Sequence, residues 1–365
     1  MDITITAIET IGLRIPFDTW SPPHVAYGVA RTHIECLYVR VTASNGIVGW
    51  GEAQGGARHM AVAAFDHWIR RSAIGQSVAD ETLIPRLQRM YMSLMRGGPM
   101  LAALSGLDIA LWDIRGKIEG LPVSTLLGGA KRAHLDCYAS LMQYDANPEY
   151  LKRNTARALE RGFRQVKLHE KKVEAVAVAR EAIGPDIPLM VDTNCAWTTL
   201  AEATAAVNGM KAYNPLWIEE PLYPPEDFES LAGLRKATGV AMAAGENIVS
   251  PYDFRRMASM GAADYLQPSI AKVGGITGMM QVAAAIEGAG ASCTPNVFYM
   301  GPGYLAVIHC LAAKERPSTL EQMFFEMAAR PFAKAVFPID GKIEVPRGPG
   351  LGADPEDELI ARFRV

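Results

Sequence analysis

Cysteine and histidine are scarce in this chain: its 365 residues include five of the first and seven of the second. Cys36, Cys137, Cys195, Cys293 and Cys310 lie scattered without C-x-x-C spacing, which argues against a structural zinc site and a disulfide framework and leaves reduced, buried thiols. No uninterrupted apolar run reaches membrane-spanning length. The opening MDITITAIETIGLRIPF alternates from its first residues, where a leader would need a basic stretch, an apolar stretch and a cleavage site. Excess charge of one sign is missing too. Net charge is −3 with both signs mixed along the chain, so there is no basic stripe for nucleic acid or an anionic membrane. The expectation is a cytoplasmic protein with neither nucleic acid nor membrane as partner, working on a small molecule. Hydrophobic residues make up 49%, enough for a large core, and the length suggests one large domain plus a smaller one.

The first third reads as α+β. Residues 2–14 alternate as a strand, and 33–43 with 47–53 read as a hairpin in which Asn45-Gly46 supplies the positive φ of the turn. Helical spacing follows near 58–73 and 79–95, and again over 103–120, where Gly120 closes the helix and Pro122 lies beyond. From Leu135 short apolar runs alternate with helices. Strands are expected near 135–141, 164–169, 189–193, 216–219, 241–246, 265–269, 291–296 and 319–324, separated by seven helical stretches such as 147–162 and 275–289. Eight such strands fit a closed barrel. An open doubly wound sheet is disfavoured because no G-x-G-x-x-G follows an early strand. Beyond residue 330 the chain turns rich in Pro, Gly and charge and is expected to return over the N-terminal region.

Three of the expected strands end on an acid: Val191-Asp192-Thr193-Asn194, Trp217-Ile218-Glu219-Glu220-Pro221 and Ala244-Gly245-Glu246-Asn247. Asp192, Glu219 and Glu246 are 27 and 27 residues apart, about one strand, one helix and two loops. A lone acid after a strand is usually a helix cap or a surface charge. Acids at one phase of a repeat converge, and their repulsion calls for a cation; an all-oxygen set suits a hard divalent ion such as Mg2+. One strand earlier, in Gln165-Val166-Lys167-Leu168-His169-Glu170, Lys167 and His169 are two apart and face the same side. A histidine there can take a proton near neutral pH, and an adjacent lysine can bind an anionic substrate group and lower its neighbour's proton affinity. The bland alternative is a lysine capping a strand end beside a histidine packed in the wall.

These segments, together with Lys272-Val273-Gly274-Gly275 and the helix Ala110-Leu111-Trp112-Asp113 leading into Leu126-Leu127-Gly128-Gly129, resemble the enolase superfamily in its mandelate racemase and muconate lactonising branch, over nearly the whole chain. The resemblance implies an α/β fold: a modified TIM (β/α) barrel at 130–330 with an N-terminal α+β capping domain at 1–129 and a C-terminal segment, 331–365, returning to the cap. It implies Mg2+ held by Asp192, Glu219 and Glu246, with Lys167 and His169 as the catalytic pair. The shared step is removal of the proton α to a carboxylate, giving a metal-stabilised enediolate, a pattern general to the superfamily. Family precedent further implies a homo-oligomer and a small-molecule carboxylate as substrate.

The departures from that pattern bear on the reaction. Relatives often carry a second base on the opposite face, either a lysine on the sixth strand or a histidine on the seventh paired with an aspartate on the sixth. Here Ser269 stands in place of the aspartate and Asn296 in place of the histidine, and after His169 the chain has only His309, within the helical stretch 302–314. Ser269 and Asn296 can hydrogen-bond a polyhydroxylated substrate but cannot readily accept a proton. Lys272 is a substitute whose phase relative to Ser269 points it elsewhere, and Tyr299 and the cap residue His24 are more remote. Glu321 matches an eighth-strand acid that can bind the substrate carboxylate, and Asn194 completes the substrate-side set. A single base suits dehydration of an acid sugar to a 2-keto acid, since His169 can remove the α-proton and return it to the leaving hydroxyl. The alternatives are a racemase or epimerase of an α-substituted carboxylate, a cycloisomerase, and, more distantly, a non-catalytic Mg2+-dependent ligand binder.

Overall fold

The computed structural model describes residues 2–26, 28–94, 97–332 and 336–365. In the cap, β1 (Ile5–Asp18) pairs antiparallel with β4 (His33–Ala43), which turns back into β5 (Val48–Ala53); a small ladder joins β2 (Val25–Ala26) to β3 (Val29–Ala30). Gly46 takes φ +83 in the hairpin turn, as expected there. Helices α1 (Arg58–Ala64), α2 (Arg70–Ala73), α3 (Leu83–Met90) and α4 (Gly98–Glu119) share one apolar cluster with a face of that sheet, and the short α5 (Val123–Leu126) follows. The expected helix at 58–73 is interrupted by a π-helical turn at Phe65–Ile69, and α3 is shorter than the 79–95 expected, whose end lies outside the described residues. α4 starts earlier than the apolar spacing predicted, because Pro99 is preset for a first turn, and it ends at Gly120 as read.

Eight parallel strands follow: β6 (His134–Leu141), β7 (Val166–His169), β8 (Leu189–Asp192), β9 (Trp217–Glu219), β10 (Met242–Ala244), β11 (Tyr265–Leu266), β12 (Ser292–Cys293) and β13 (Leu320–Phe324). Between them run α6 (Pro148–Glu160), α7 (Val173–Ile183), α8 (Leu200–Lys211), α9 (Phe228–Thr238), α10 (Pro251–Ser259), α11 (Gly275–Gly288) and α12 (Pro302–Ala313). Strand order is β13-β6-β7-β8-β9-β10-β11-β12. The architecture is a modified TIM barrel with an α+β cap. Among the described residues no backbone ladder joins β12 to β13; that seam is bridged by the Val297 N–H donating to Glu321 Oε2 at 2.8 Å and by Lys314 Nζ donating to the Cys293 carbonyl at 3.0 Å. The strands expected at 265–269 and 291–296 are cut to two residues each, since Pro268 and Pro295 have no N–H to continue a ladder.

The last segment ties cap and barrel together. β14 (Glu326–Met327) pairs with the end of β1, and β15 (Lys342–Glu344) runs antiparallel to the start of β6. After α13 (Asp357–Phe363), the Val365 N–H reaches the Gly12 carbonyl at 3.0 Å. Asp113 on α4 accepts from the Trp50 N–H at 2.9 Å and from the Leu351 N–H at 2.8 Å, so one buried carboxylate holds hairpin, helix and C-terminal segment. His309 on α12 makes a second junction: its Nδ1 accepts from the Ser124 N–H at 3.1 Å, so Nε2 carries the proton and donates to the Leu351 carbonyl at 3.2 Å. No helix among the described residues is long and apolar enough to cross a membrane.

Burial pulls the His309 pKa from 6.5 to about 4, against the opposing Leu351 hydrogen bond. A depressed folded-state pKa means stability present above the unfolded value and lost as pH falls through the window between the two. Over that window the wild type should lose about 3 kcal/mol from this group. His309→Gln should be less stable than wild type at pH 7.5 but show a flatter melting temperature between pH 7 and 4, measured by thermal unfolding. An unchanged pH slope would contradict this.

Candidate active site

Register places the site. His169 on β7 pairs with Asp192 on β8, which pairs with Glu219 on β9, so all three stand in one row at the strand ends. Two residues back, on the same face, Ser140, Lys167, Met190 and Trp217 form the row beneath. Glu219 pairs with Ala243 on β10, and Glu246 follows in the turn after that strand. Gly245 makes the turn with φ +126, and a Cβ there would lie 2.7 Å from the Phe254 ring. Glu220, which sequence reasoning passed over, supports this turn: it accepts from Asn247 Nδ2 at 2.8 Å and from the Gly245 N–H at 3.4 Å. The only signal for it was the second acid of E-E-P.

Lys167 is fully buried among acids. Its ammonium lies 2.8 Å from Glu219 Oε1, 2.7 Å from Glu321 Oε1 and 3.5 Å from Asp192 Oδ2. Burial works against the charge, but Glu219 and Glu321 outweigh it and push the Lys167 pKa well up. The same ammonium overcomes the burial of Glu219 and holds that carboxyl below its usual range. Asp192 is pushed well up by burial and then by Glu219, and Glu246 is raised to about 7 by burial and by Glu220. Among the described residues no three His, Cys, Asp or Glu side chains already enclose a common point as a ligand set; Asp192 and Glu219 turn to Lys167 instead. The residues nonetheless fit a hard divalent ion. Asp192, Glu219 and Glu246 offer oxygen alone, and the repulsion that raises Asp192 and Glu246 is what a cation beside them would relieve.

His169 is half-buried, with Nδ1 2.5 Å from the Leu141 carbonyl and Nε2 3.3 Å from Asp192 Oδ2. A carbonyl only accepts, so Nδ1 carries the proton and Nε2 has the free lone pair. Burial, and then the Lys167 charge, lower its pKa, so the imidazole is neutral.

The remaining predicted site residues fall in several places. Ser269 and Tyr299 are buried, with Oγ and Oη 2.5 Å apart, and Ser269 is bridged to Asn296 beyond the ends of β11 and β12. Burial raises the Tyr299 hydroxyl, so it is no base at neutral pH. Lys272 donates to Asn247 Oδ1 at 3.3 Å and its charge works to lower Glu246; the reading that its phase turned it elsewhere is corrected, because the turns after β10 and β11 bring it beside the acids. Glu321, expected to meet a substrate carboxylate, has its two oxygens engaged by Lys167 and the Val297 N–H, and so bears on the site through Lys167. Asn194 is exposed at the rim with φ 50, its N–H donating to Asp192 Oδ1 at 2.9 Å. His24 lies in a cap loop seated on α6, where Asn154 Nδ2 donates to the Thr19 carbonyl at 3.3 Å and the Trp20 ring lies 4.3 Å from the Arg157 guanidinium.

The chain matches two family models, enolase C-terminal domain-like over residues 150–359 and the mandelate racemase / muconate lactonizing enzyme N-terminal domain over residues 10–128. It is 32% identical to D-galactarolactone cycloisomerase of Agrobacterium fabrum, covering 99% of each chain. It is likewise 32% identical to D-galactonate dehydratase of Ralstonia pickettii, over 89% of this chain and 90% of that one. Its fold overlays the crystal structure of a racemase from Streptomyces coelicolor with bound magnesium at a TM-score of 0.86, with 27% identity, covering 99% of this chain and 100% of that one.

Removing the Lys167 ammonium leaves buried carboxylates without compensation, so Lys167→Met should cost about 3–5 kcal/mol and lower the melting temperature. Adding Glu321→Gln in that background should recover part of the loss, because it removes one of the uncompensated charges. Additive damage in the double variant would count against the ion cluster.

Proposed function

The chain belongs to the mandelate racemase and muconate lactonizing enzyme family of the enolase superfamily, and from that premise we propose that it is a Mg2+-dependent enzyme that removes the proton α to a carboxylate of an acid sugar and expels the β-hydroxyl as water. The observation that carries this reading is the fixed tautomer of His169. Its Nε2 is a free, neutral base at the strand ends, beside the acidic row. Asp192, Glu219 and Glu246 would hold the ion, which when bound offsets the negative charge developing on the substrate carboxylate as the proton leaves. Lys167 orients Asp192 and Glu219, and its charge adds to burial in lowering the proton affinity of His169.

In the forward direction, Nε2 takes the α-proton and the imidazole becomes imidazolium. The electron pair of the Cα–H bond forms the Cα–Cβ double bond as the Cβ–O bond breaks. The imidazolium proton goes to the departing hydroxyl on the same face, so water leaves, His169 is neutral again, and the enol product tautomerises to a 2-keto acid. Ser269, Asn296 and Tyr299, on the far side of the acids in strand order, supply hydroxyl and amide groups suited to sugar hydroxyls but not to accepting a proton. A second reading is cycloisomerisation, which the full-length similarity to D-galactarolactone cycloisomerase favours; it uses the same proton removal with the leaving oxygen tethered in a ring.

A panel of acid sugars and their lactones incubated with Mg2+ in D2O separates these outcomes by NMR. Dehydration yields a keto acid with loss of water, cycloisomerisation a keto isomer that keeps the ring oxygen and gains carbon-bound deuterium, and epimerisation α-deuterated starting material and its epimer. His169→Asn should lower kcat by about 10²–10⁴-fold with little change in KM. Asp192→Asn and Glu219→Gln should each weaken Mg2+ binding measured by calorimetry. Substrate turnover that survives His169→Asn would remove the proposal.

A further inference from the structure

We propose that Glu170 is a positioning residue that sets the orientation of the base and the seating of the cap together, through the loop between β6 and α6; the base part of this rests on the reading of His169 given above. Glu170 follows His169 directly and, with the strand alternation, turns away from the barrel interior. It is 4% exposed, and its carboxylate accepts from the Tyr144 N–H at 2.7 Å through Oε1 and from the Ala146 N–H at 3.0 Å through Oε2. Between and at those amides the chain is held in an unfavourable conformation. Asp145 has φ 52 and Ala146 φ 60, two consecutive residues with a Cβ in the left-handed region. The loop runs from the end of β6, which pairs with β13 up to Leu141 and with β7 up to Ser140, to α6, which Asn147 caps by accepting from the Glu149 and Tyr150 N–H groups at 3.0 and 3.3 Å. The strained middle is what Glu170 holds.

Two functional contacts belong to this loop. The loop leaves β6 at Leu141, whose carbonyl fixes the His169 tautomer at 2.5 Å. At its tip, Asp145 Oδ1 lies 3.6 Å from His24 Nδ1, a buried nitrogen with no hydrogen-bond partner among the described residues. Gln143 Nε2 donates to that same Asp145 oxygen at 2.9 Å, which aims it toward the cap. The next element, α6, carries Asn154 and Arg153, which donate to the carbonyls of Thr19 and Trp20 in the cap loop. One carboxylate thus links the residue after the base, the carbonyl that orients the base, and the cap loop over the site. Releasing the Tyr144 and Ala146 amides lets the loop relax out of the left-handed region, withdrawing Asp145 from His24.

Hydrogen–deuterium exchange on the whole chain without substrate tests the link to the cap. Glu170→Ala should speed exchange about tenfold or more in peptides covering 142–147 and also in 18–24, with Glu170→Gln, which keeps one acceptor, intermediate. Faster exchange confined to 142–147 would overturn the link. On any substrate the wild type turns over, Glu170→Ala should raise KM and lower kcat, whereas His24→Ala should raise KM alone. Their KM effects should fall short of multiplying by about threefold or more in the double variant, since both break one connection. Independent, multiplying effects would likewise overturn it. Mg2+ binding by calorimetry should match wild type in both variants, and its loss in Glu170→Ala would mean a general collapse of the site, against a positioning role. If no substrate is found, or turnover survives His169→Asn, the reading of His169 fails while the exchange experiment still decides the link to the cap.

Discussion

The fully buried ammonium of Lys167 is the point on which the barrel mouth is arranged. A lysine with no exposure would ordinarily lose its proton to the cost of desolvation. Here the two carboxylates within 2.8 Å more than repay it, and the price reappears as raised proton affinity at Asp192 and Glu246, which repel one another and their acidic neighbours. The cluster is therefore balanced where Lys167 reaches and short of positive charge where it does not. That imbalance points to the side of the site that a divalent ion would complete. It also explains why Glu321, on the strand at the other end of the series, is drawn into the interior: it pairs with Lys167 through one oxygen and closes the seam to β12 through the other.

The fold keeps this charge cluster dry by stacking rows of side chains. Met190 and Trp217, level with Lys167, pack with Tyr138 and Ala243 into a buried apolar cluster inside the barrel. Above it the row of His169, Asp192 and Glu219 faces the cap. The cap is tied down at separate places: by Asp113 and His309 to the C-terminal segment, by Glu52 accepting from the Met300 and Gly303 N–H groups at the start of α12, and by the loop at 19–24 on α6. Glu52 and Tyr38, whose hydroxyl donates to the Met300 carbonyl at 3.2 Å, hold the segment that delivers Tyr299 to the far wall. Residues of the cap thus hold elements around the barrel mouth at several separate places.

What could be read from the amino-acid order was whatever repeats with the fold. The alternation of short apolar runs and helices announced the eight parallel strands, and the even spacing of Asp192, Glu219 and Glu246 announced their common phase. Period-two facing put Lys167 and His169 on one side, where register indeed brings His169 level with Asp192. The unread parts depend on contacts between distant segments. No local signal tells that Glu321 would spend itself on Lys167, that Lys272 would be carried by its turn to Asn247, or that Glu170 and Glu220 would each grip the backbone of a neighbouring loop. Strand lengths were overestimated at β11 and β12 because periodicity was followed past Pro268 and Pro295, where the missing N–H should have weighed more.

The asymmetry of the mouth bears on the class of reaction. Along the strand order, a neutral imidazole stands at β7, acids occupy β8 to β10, and β11 and β12 bring a serine, an asparagine and a tyrosine. An exchange of configuration at carbon needs proton donors and acceptors on two faces, and a hydroxyl whose proton affinity burial has raised can donate but cannot rest as a base. Lys272 stands nearer than its phase suggested, yet its ammonium donates to Asn247 Oδ1 at 3.3 Å and its charge works on Glu246, which turns it toward the acids. Elimination needs only one titrating side chain, because the proton taken from carbon can leave with the oxygen. Under the proposed function, a one-base mouth lined opposite by hydroxyl and amide groups would match a substrate that carries both its acidic carbon and its leaving oxygen toward His169, with its other hydroxyls toward Ser269, Asn296 and Tyr299.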